Sequence, residues 1–450
     1  MNWNWKFRAV WILCLGVNDM SREMKDSGLE WIGEIPEDWK LIRLCNMTKS
    51  IFLGKTPVYS EKENENYIVG QKNNQANGVD FSDIKYGEDE FYSQREEKEF
   101  LRYGDVLLNT LGGGSVGRIG YWNINNNKKY ITDGHLMVIR AKENCDSKFL
   151  YYAMVSQQKK LEDDAVGSTN QAFLTVTQVY KNVIASTDYE MQNKIARFLD
   201  EKLKKIDFIM KKIEKSVENY KKLKQSIITQ AVTKGIVPER LMKECDINWI
   251  GKIPQDWKVQ RGKNLFIEIN ERSTTGEEEL LTVSHITGVT PRKNKNVNMF
   301  MSESLVDYKI CHEGDIAANT MWMWQGAIGV SKYYGVISPS YNTYRQKADT
   351  YDADYLEYLL RIPPLVATYA AYSTGITASR LRLYPQGFFS ILFPVPPRKE
   401  QQEIAVYLNK KIPQIDRLII KKEKFVDELK SYKRSLIYEY VTGKKEVPEF

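Results

Sequence analysis

The chain has 450 residues, 42% of them apolar, which is enough for two or three domains with real cores and too apolar for a disordered protein. Lys and Arg outnumber Asp and Glu by 65 to 58 and the sequence pI is near 8.8, an excess that permits contact with nucleic acid without requiring it. Five scattered cysteines without a CxxC exclude a disulfide framework and fit a reducing, cytoplasmic setting, and three histidines leave little for a metal cluster or a histidine relay.

At the start, Trp3, Trp5, Lys6 and Arg8 precede an apolar run from Ala9 to Val17. The run is about half a membrane span. It has signal-peptide polarity but lacks a small-residue cleavage site. The reading favoured here is an atypical extension over 1–23, with Met20 or Met24 as the true first residue. No other stretch could span a bilayer.

A repeat follows. Trp31 to Trp39 reads WIGEIPEDW and Trp249 to Trp257 reads WIGKIPQDW, identical at seven of nine positions. Gly104-Asp105-Val-Leu-Leu-Asn109-Thr110 matches Gly314-Asp315-Ile-Ala-Ala-Asn319-Thr320, and Gly117-Arg-Ile-Gly120 matches Gly326-Ala-Ile-Gly329. Gly-Asp is turn chemistry and the aliphatics after it predict a strand. Next come strand-like stretches (Tyr130 to Arg140; Val336 to Arg345) and short helices (Phe149 to Ala153; Tyr355 to Leu360). Short mixed elements of this kind predict α+β domains.

Each copy then switches to a heptad pattern. In the first, Leu199, Leu203, Ile206, Met210, Ile213 and Val217 form a seam that continues to Ala231, broken by Lys224. In the second, Leu408, Ile412, Ile415, Ile419, Val426 and Leu429 continue to Tyr440, broken by Lys422 and Lys433. Four heptads predict a coiled coil about 50 Å long. Two such stripes in one chain bury each other most simply within the chain, because the partner is always at hand. Gly235 and Gly443 are stop signals, and Pro413 predicts that the second helix begins or kinks there. The expected division is 24–190, a first helix over 191–235, 236–399, and a second helix with tail over 400–450.

No catalytic constellation is visible. Gly112 to Gly117 contains GxGxxG, but a strand-like Arg-Ile-Gly-Tyr-Trp follows instead of a helix, and the second copy has Trp322-Met-Trp324-Gln325 there, so a dinucleotide site is not expected. Matching frames with divergent loops fit a two-part reader whose parts read different sequences. Candidate base readers follow from side-chain chemistry. The first copy offers Lys72, Asn73, Asn74, Gln75, Ser115, Arg118, Asn170 and Gln171. The second offers Ser284, His285, Trp322, Trp324, Gln325, Tyr341, Arg380 and Arg382.

This constellation resembles the specificity (S) subunit of type I restriction-modification systems. The carriers are the WIGEIPEDW-type boxes, the Gly-Asp…Asn-Thr…Gly-x-Ile-Gly frame, Val336-Ile-Ser-Pro-Ser-Tyr341, and Phe393-Pro-Val-Pro-Pro-Arg-Lys-Glu-Gln-Gln-Glu-Ile-Ala405. The first half departs from the last motif with Ala185-Ser-Thr-Asp188 where prolines are usual. The resemblance covers about Trp31 to the C-terminus. It implies two tandem α/β target-recognition domains separated by two long helices in an antiparallel intramolecular coiled coil. It further implies a non-catalytic, DNA-binding subunit that reads a bipartite double-stranded target, the coiled coil setting the gap. Two methyltransferase (modification) subunits, with or without two restriction subunits, would then carry the S-adenosylmethionine, ATP and Mg. None of these cofactors is expected on this chain. The rival readings are a structural coiled-coil scaffold and a stand-alone nuclease or methyltransferase.

Overall fold

The computed structural model describes residues 22–75, 78–167, 172–247, 249–294, 304–377 and 381–448; the N-terminal run, Asn170, Gln171 and Arg380 lie outside them. The chain divides into two compact units, Met1–Lys212 with Phe425–Phe450, and Ile213–Lys424. Each unit therefore takes in part of both long helices.

In the first unit, a four-stranded antiparallel sheet runs in the order Ile119–Tyr121, Val106–Asn109, Leu136–Ala141, Thr48–Leu53. In the second, the order is Ile328–Val330, Ile316–Ala318, Asn342–Gln346, Phe266–Ile269. The element order along the chain is the same in both, so the sequence repeat is a repeat of fold. The two central strands are buried on both faces, which explains their continuous aliphatic runs. What packs beside these sheets differs. The first unit adds a mixed sheet of Tyr130–Thr132, Tyr67–Val69, Lys85–Gly87 and Tyr59–Ser60. The second has two antiparallel pairs, Leu281–Ser284 with Gly288–Pro291 and Lys309–Cys311 with Gly335–Ile337. The stretches read as single strands, Tyr130 to Arg140 and Val336 to Arg345, are each two strands in different sheets. Asp133-Gly134 and Ser338 to Tyr341 turn between them.

An ion pair on a buried carboxylate ties each frame together. Asp105 accepts from Arg140 Nε and Nη2 at 2.8 and 2.7 Å. Asp315 accepts from Arg345 Nε and Nη2 at 2.7 and 2.8 Å. The same carboxylates accept from the backbone N–H three residues earlier, that of Arg102 and of His312. The Gly-Asp repeat is thus a turn whose acid also holds an arginine on a neighbouring strand.

The long helices are Tyr189–Lys234 and Arg398–Val441. The seam is buried at Leu199, Leu203, Ile206, Val217, Leu408, Ile412, Ile415, Ile419, Val426 and Leu429, while Met210 and Ile213 are half-buried. The two helices run antiparallel. In the first unit Phe198 packs on Tyr440 and Lys433 pairs with Asp207. In the second, Val217 packs with Ile415 and Ile419, and Lys224 Nζ reaches both oxygens of Asp416 at 2.7 and 2.8 Å. Lys422 lies over the Tyr220 ring. Every lysine that breaks the heptad pattern thus has a partner on the facing helix. Gly235 and Gly443 end the helices with φ of +77° and +72°, the left-handed region that glycine enters without a Cβ clash.

Pro413 neither starts the second helix nor ends it. That helix begins fifteen residues earlier, at Arg398, and continues through. The lost hydrogen bond costs about 3 kcal/mol, but Ile412 and Ile415 on either side are buried in the seam and hold the chain helical. The first helix manages without the prolines of the second. Asp188 accepts from the Met191 N–H at 2.9 Å, which is N-capping. One turn in, Gln192 and Gln401 play the same part. Each is buried and accepts from the backbone N–H of the aspartate that caps a short helix, Asp146 of Ser147–Ser156 and Asp352 of Ala353–Leu360.

Candidate nucleic-acid interface

In the first unit the amide-rich loop is organised around Asn109. Its Nδ2 donates to Gln71 O at 3.1 Å and its Oδ1 accepts from Asn74 Nδ2 at 2.8 Å. Asn74 is fully buried, and its Oδ1 lies against Gly120 so closely that a Cβ there would sit 1.8 Å away. Asn73 is also buried, accepting from the Gly70 N–H and donating to Asp80 O. Asn73 and Asn74, expected to read bases, are therefore spent on holding the loop. Both side chains are turned inward, Asn74 Oδ1 being buried against Gly120 without a hydrogen-bond partner, so neither amide faces outward.

Lys72 and Gln75 are exposed on the same loop. Arg118 joins them, donating through Nη1 to Asn74 O and Gln75 Oε1, both at 3.4 Å. Ser115 is half-buried and donates to Leu111 O at 2.9 Å, so its hydroxyl shapes the glycine turn. A third segment closes against these two. Gly112 N–H donates to Ala172 O, and Val166 pairs with Phe173. Val166 and Phe173 are both exposed. Val166 and Phe173 thus form an exposed apolar pair on the segment bonded to the glycine turn, and Lys72, Gln75 and Arg118 a surface of cationic and amide groups. Beneath it Asp133 accepts from the His135 N–H, and burial raises its carboxyl pKa.

The second unit brings Trp322, Trp324, Gln325 and Tyr341 together. Asn319, the counterpart of Asn109, donates through Nδ2 to Tyr341 Oη at 2.8 Å, and Thr320 Oγ1 donates to Ser340 O. Trp322 is half-exposed, and its ring is near parallel to that of Trp324 at 6.3 Å. Trp324 Nε1 donates to Met321 O at 3.1 Å, which fixes the pair. Burial raises the Tyr341 hydroxyl pKa, and the nearby charge of Arg292 opposes that shift. Ser284 and His285 sit on a separate hairpin tip, and Arg382 on a further segment bonded to Thr374.

The repeated Asn-Thr was visible in the sequence as a frame, but not as the knot that ties each loop. Phe173, Val166 and Ile286 gave no signal, because exposed apolar residues in loops have no periodicity. Among the described residues, no group of His, Cys, Asp and Glu could hold a metal ion, and no helix is long and apolar enough to cross a membrane.

Residues 36–219 match the family described as the type I restriction modification DNA specificity domain. Two proteins of Methanocaldococcus jannaschii are similar along nearly their whole length. One, provisionally named the type I restriction enzyme MjaX specificity subunit, is 24% identical, covering 92% of this chain and 95% of its own. The other, the type I restriction enzyme MjaVIII specificity subunit, is 22% identical, covering 91% and 93%. A solved chain from work on complex assembly and conformational transition of the type I R-M system superposes with a TM-score of 0.65 at 17% identity, over 90% of this chain and 98% of that one. The matched domain, the relatives similar along nearly their whole length and the shared fold agree with the repeat and the helix pair, and together they point to the specificity subunits of type I restriction-modification systems.

Proposed function

We propose that this chain is the DNA-specificity subunit of such a complex, its two domains reading the two parts of a split target and its helix pair setting the gap. One observation carries the reading. The same four-stranded frame occurs twice, and the corresponding connections hold Gly-Gly-Gly-Ser in one and Trp-Met-Trp-Gln in the other. A constant scaffold with variable loops separates positioning from base readout. On this reading Lys72, Gln75 and Arg118 face one half-site, and Trp322, Trp324, Gln325 and Tyr341 the other. The chain catalyses nothing itself. Two modification subunits bring S-adenosylmethionine and methylate the target, and restriction subunits, where they join, bring ATP and Mg.

The test is to co-express the chain with a methyltransferase subunit and map methylated adenines genome-wide. A two-part motif with a fixed gap is expected. Inserting one heptad into each long helix should lengthen that gap by about three base pairs, from about 1.5 Å per residue and 3.4 Å per base pair, and leave both half-sites unchanged. An assembled complex that binds S-adenosylmethionine yet methylates without a two-part motif would refute the reading in favour of a scaffold.

A further inference from the structure

In the second domain, the hairpin of Leu281–Ser284 and Gly288–Pro291 ends in an exposed tip, with Ile286 74% exposed. The tip is held from both sides. From within, Ser284 Oγ accepts from the N–H groups of Ile286 and Thr287 at 3.1 and 3.4 Å. From outside, Arg361 Nη2 donates to the carbonyls of His285 and Ile286 at 2.9 and 2.7 Å. Arg361 Nη1 donates to Glu357 Oε1 at 2.8 Å, one turn back on the helix Ala353–Leu360 that Arg361 caps.

Glu357 in turn reaches a second reading element. Its Oε2 accepts from the Val330 N–H at 2.7 Å, on the strand that leaves the Trp322–Gln325 loop. A Cβ at Gly288 would lie 2.8 Å from one Glu357 oxygen, and a Cβ at Gly329 2.8 Å from the other. A side chain at either glycine would thus meet the carboxylate. The pair therefore fixes the hairpin tip relative to the strand beside the tryptophan loop.

This device is absent from the repeated frame. Aligned from the capping aspartates Asp146 and Asp352, the positions of Glu357 and Arg361 are Tyr151 and Val155 in the first domain. What both domains share holds the fold. What one domain alone has, and holds with a partly buried ion pair, belongs to what that domain alone reads.

We infer that Arg361, held by Glu357, is a positioning residue that presents the Ser284–Gly288 tip to base edges of the second half-site, with Ile286 as an apolar contact of the kind that suits a thymine methyl group. The inference rests on the chain being a DNA-specificity subunit. A loop that reads bases gains specificity from being fixed before it binds, because less ordering remains to be done in the complex.

The experiment is selection from randomised duplexes, at one fixed salt concentration, by the full chain assembled with its methyltransferase subunit. Arg361→Met, Glu357→Gln and Ile286→Ala are compared with the wild type. The expected result is that Arg361→Met and Ile286→Ala lose about tenfold selectivity at the same one or two positions of one half-site. Glu357→Gln, which keeps a neutral hydrogen-bonding group, should lose less. The other half-site and the gap should not move. A purely structural role would instead lower assembly or binding at every position alike. Unchanged half-site selectivity in an assembled Arg361→Met complex overturns the inference. If that variant does not assemble, unchanged selectivity in Ile286→Ala overturns it. A wild-type complex without any two-part selectivity overturns the underlying reading instead.

Discussion

The two frame ion pairs are the same interaction in two settings, and they should differ in what they contribute. Asp105 and Asp315 are each 1% exposed as side chains, but Arg140 is 10% exposed and Arg345 42%. Arg140 also donates to the carbonyls of Lys98 and Phe100, so it is held in the interior by four hydrogen bonds. Replacing Asp105 by Ala leaves a guanidinium charge that cannot move to water. Breaking a buried pair in this way costs about 3–5 kcal/mol. In Asp315→Ala the Arg345 guanidinium can rehydrate, and the loss is chiefly that of buried hydrogen bonds, roughly 1–3 kcal/mol. The first variant should therefore be worse by about 2 kcal/mol, some 30-fold in the opening equilibrium. Whole-protein denaturation is the wrong assay, because two units do not unfold as one. Native-state hydrogen exchange reads each sheet by itself. Val106–Asn109 and Leu136–Ala141 report on the first substitution, and Ile316–Ala318 and Asn342–Gln346 on the second. Equal losses, or a larger one in Asp315→Ala, would refute the argument that guanidinium burial sets the cost.

Two further substitutions test local packing. Gly120→Ala puts a methyl group 1.8 Å from Asn74 Oδ1, so the Gln71–Gln75 loop must shift at a cost of about 1–3 kcal/mol; faster exchange in that loop and weaker selectivity in one half-site only are expected, and a variant indistinguishable from wild type in both would contradict the placement of Asn74. Trp257 Nε1 donates to Glu400 Oε2 at 2.8 Å, whereas the Trp39 Nε1 is buried without a partner, because Met191 stands where the second half has Glu400. Met191→Glu should supply the missing acceptor, beside a helix N-terminus that favours an acid, and raise the stability of the first unit by about 1 kcal/mol, read as slower native-state hydrogen exchange in that unit; faster exchange there would show that the site cannot accept the charge.

The elements that were legible in the sequence are those with a period or a repeat. The heptad seam is buried nearly residue for residue, since a stripe of Leu and Ile on a helix has only one way to leave water. The tandem frame was legible because Gly-Asp and Asn-Thr recur at matching places. The candidate interface was legible only in part. Amide side chains suit a base edge and suit a buried loop equally well, and Asn73 and Asn74 went inward because Asn109 and Asp80 offered them partners. The strand breaks at Asp133-Gly134 and Ser338 to Tyr341 were hidden by aliphatic residues on both sides, which carry a strand signal regardless of which sheet they join. Glu357 and Arg361 stand four residues apart, the spacing of any surface pair on a helix, and gave no signal of their own. Only the hairpin folded against them shows that they are half-buried and bonded to its tip.

The polar breaks in the seam bear on what the helix pair is for. Lys433 and Asp207 are the counterparts of Lys224 and Asp416 along the repeat, with acid and base exchanged between the two helices. Both pairs are partly exposed, Lys224 and Asp416 at 31% and 41%, Lys433 and Asp207 at 20% and 39%, and pairs of that kind contribute about 0–1 kcal/mol. An apolar residue in place of each lysine would stabilise the seam at least as much. Stability therefore does not explain why the same interruption occurs twice at corresponding places. Alignment does, because a charged position in an apolar seam is satisfied only where the facing helix brings an acid to it. If the pair is the spacer proposed above, it needs a defined register more than it needs the last kilocalorie, since a slipped register would change the distance it sets.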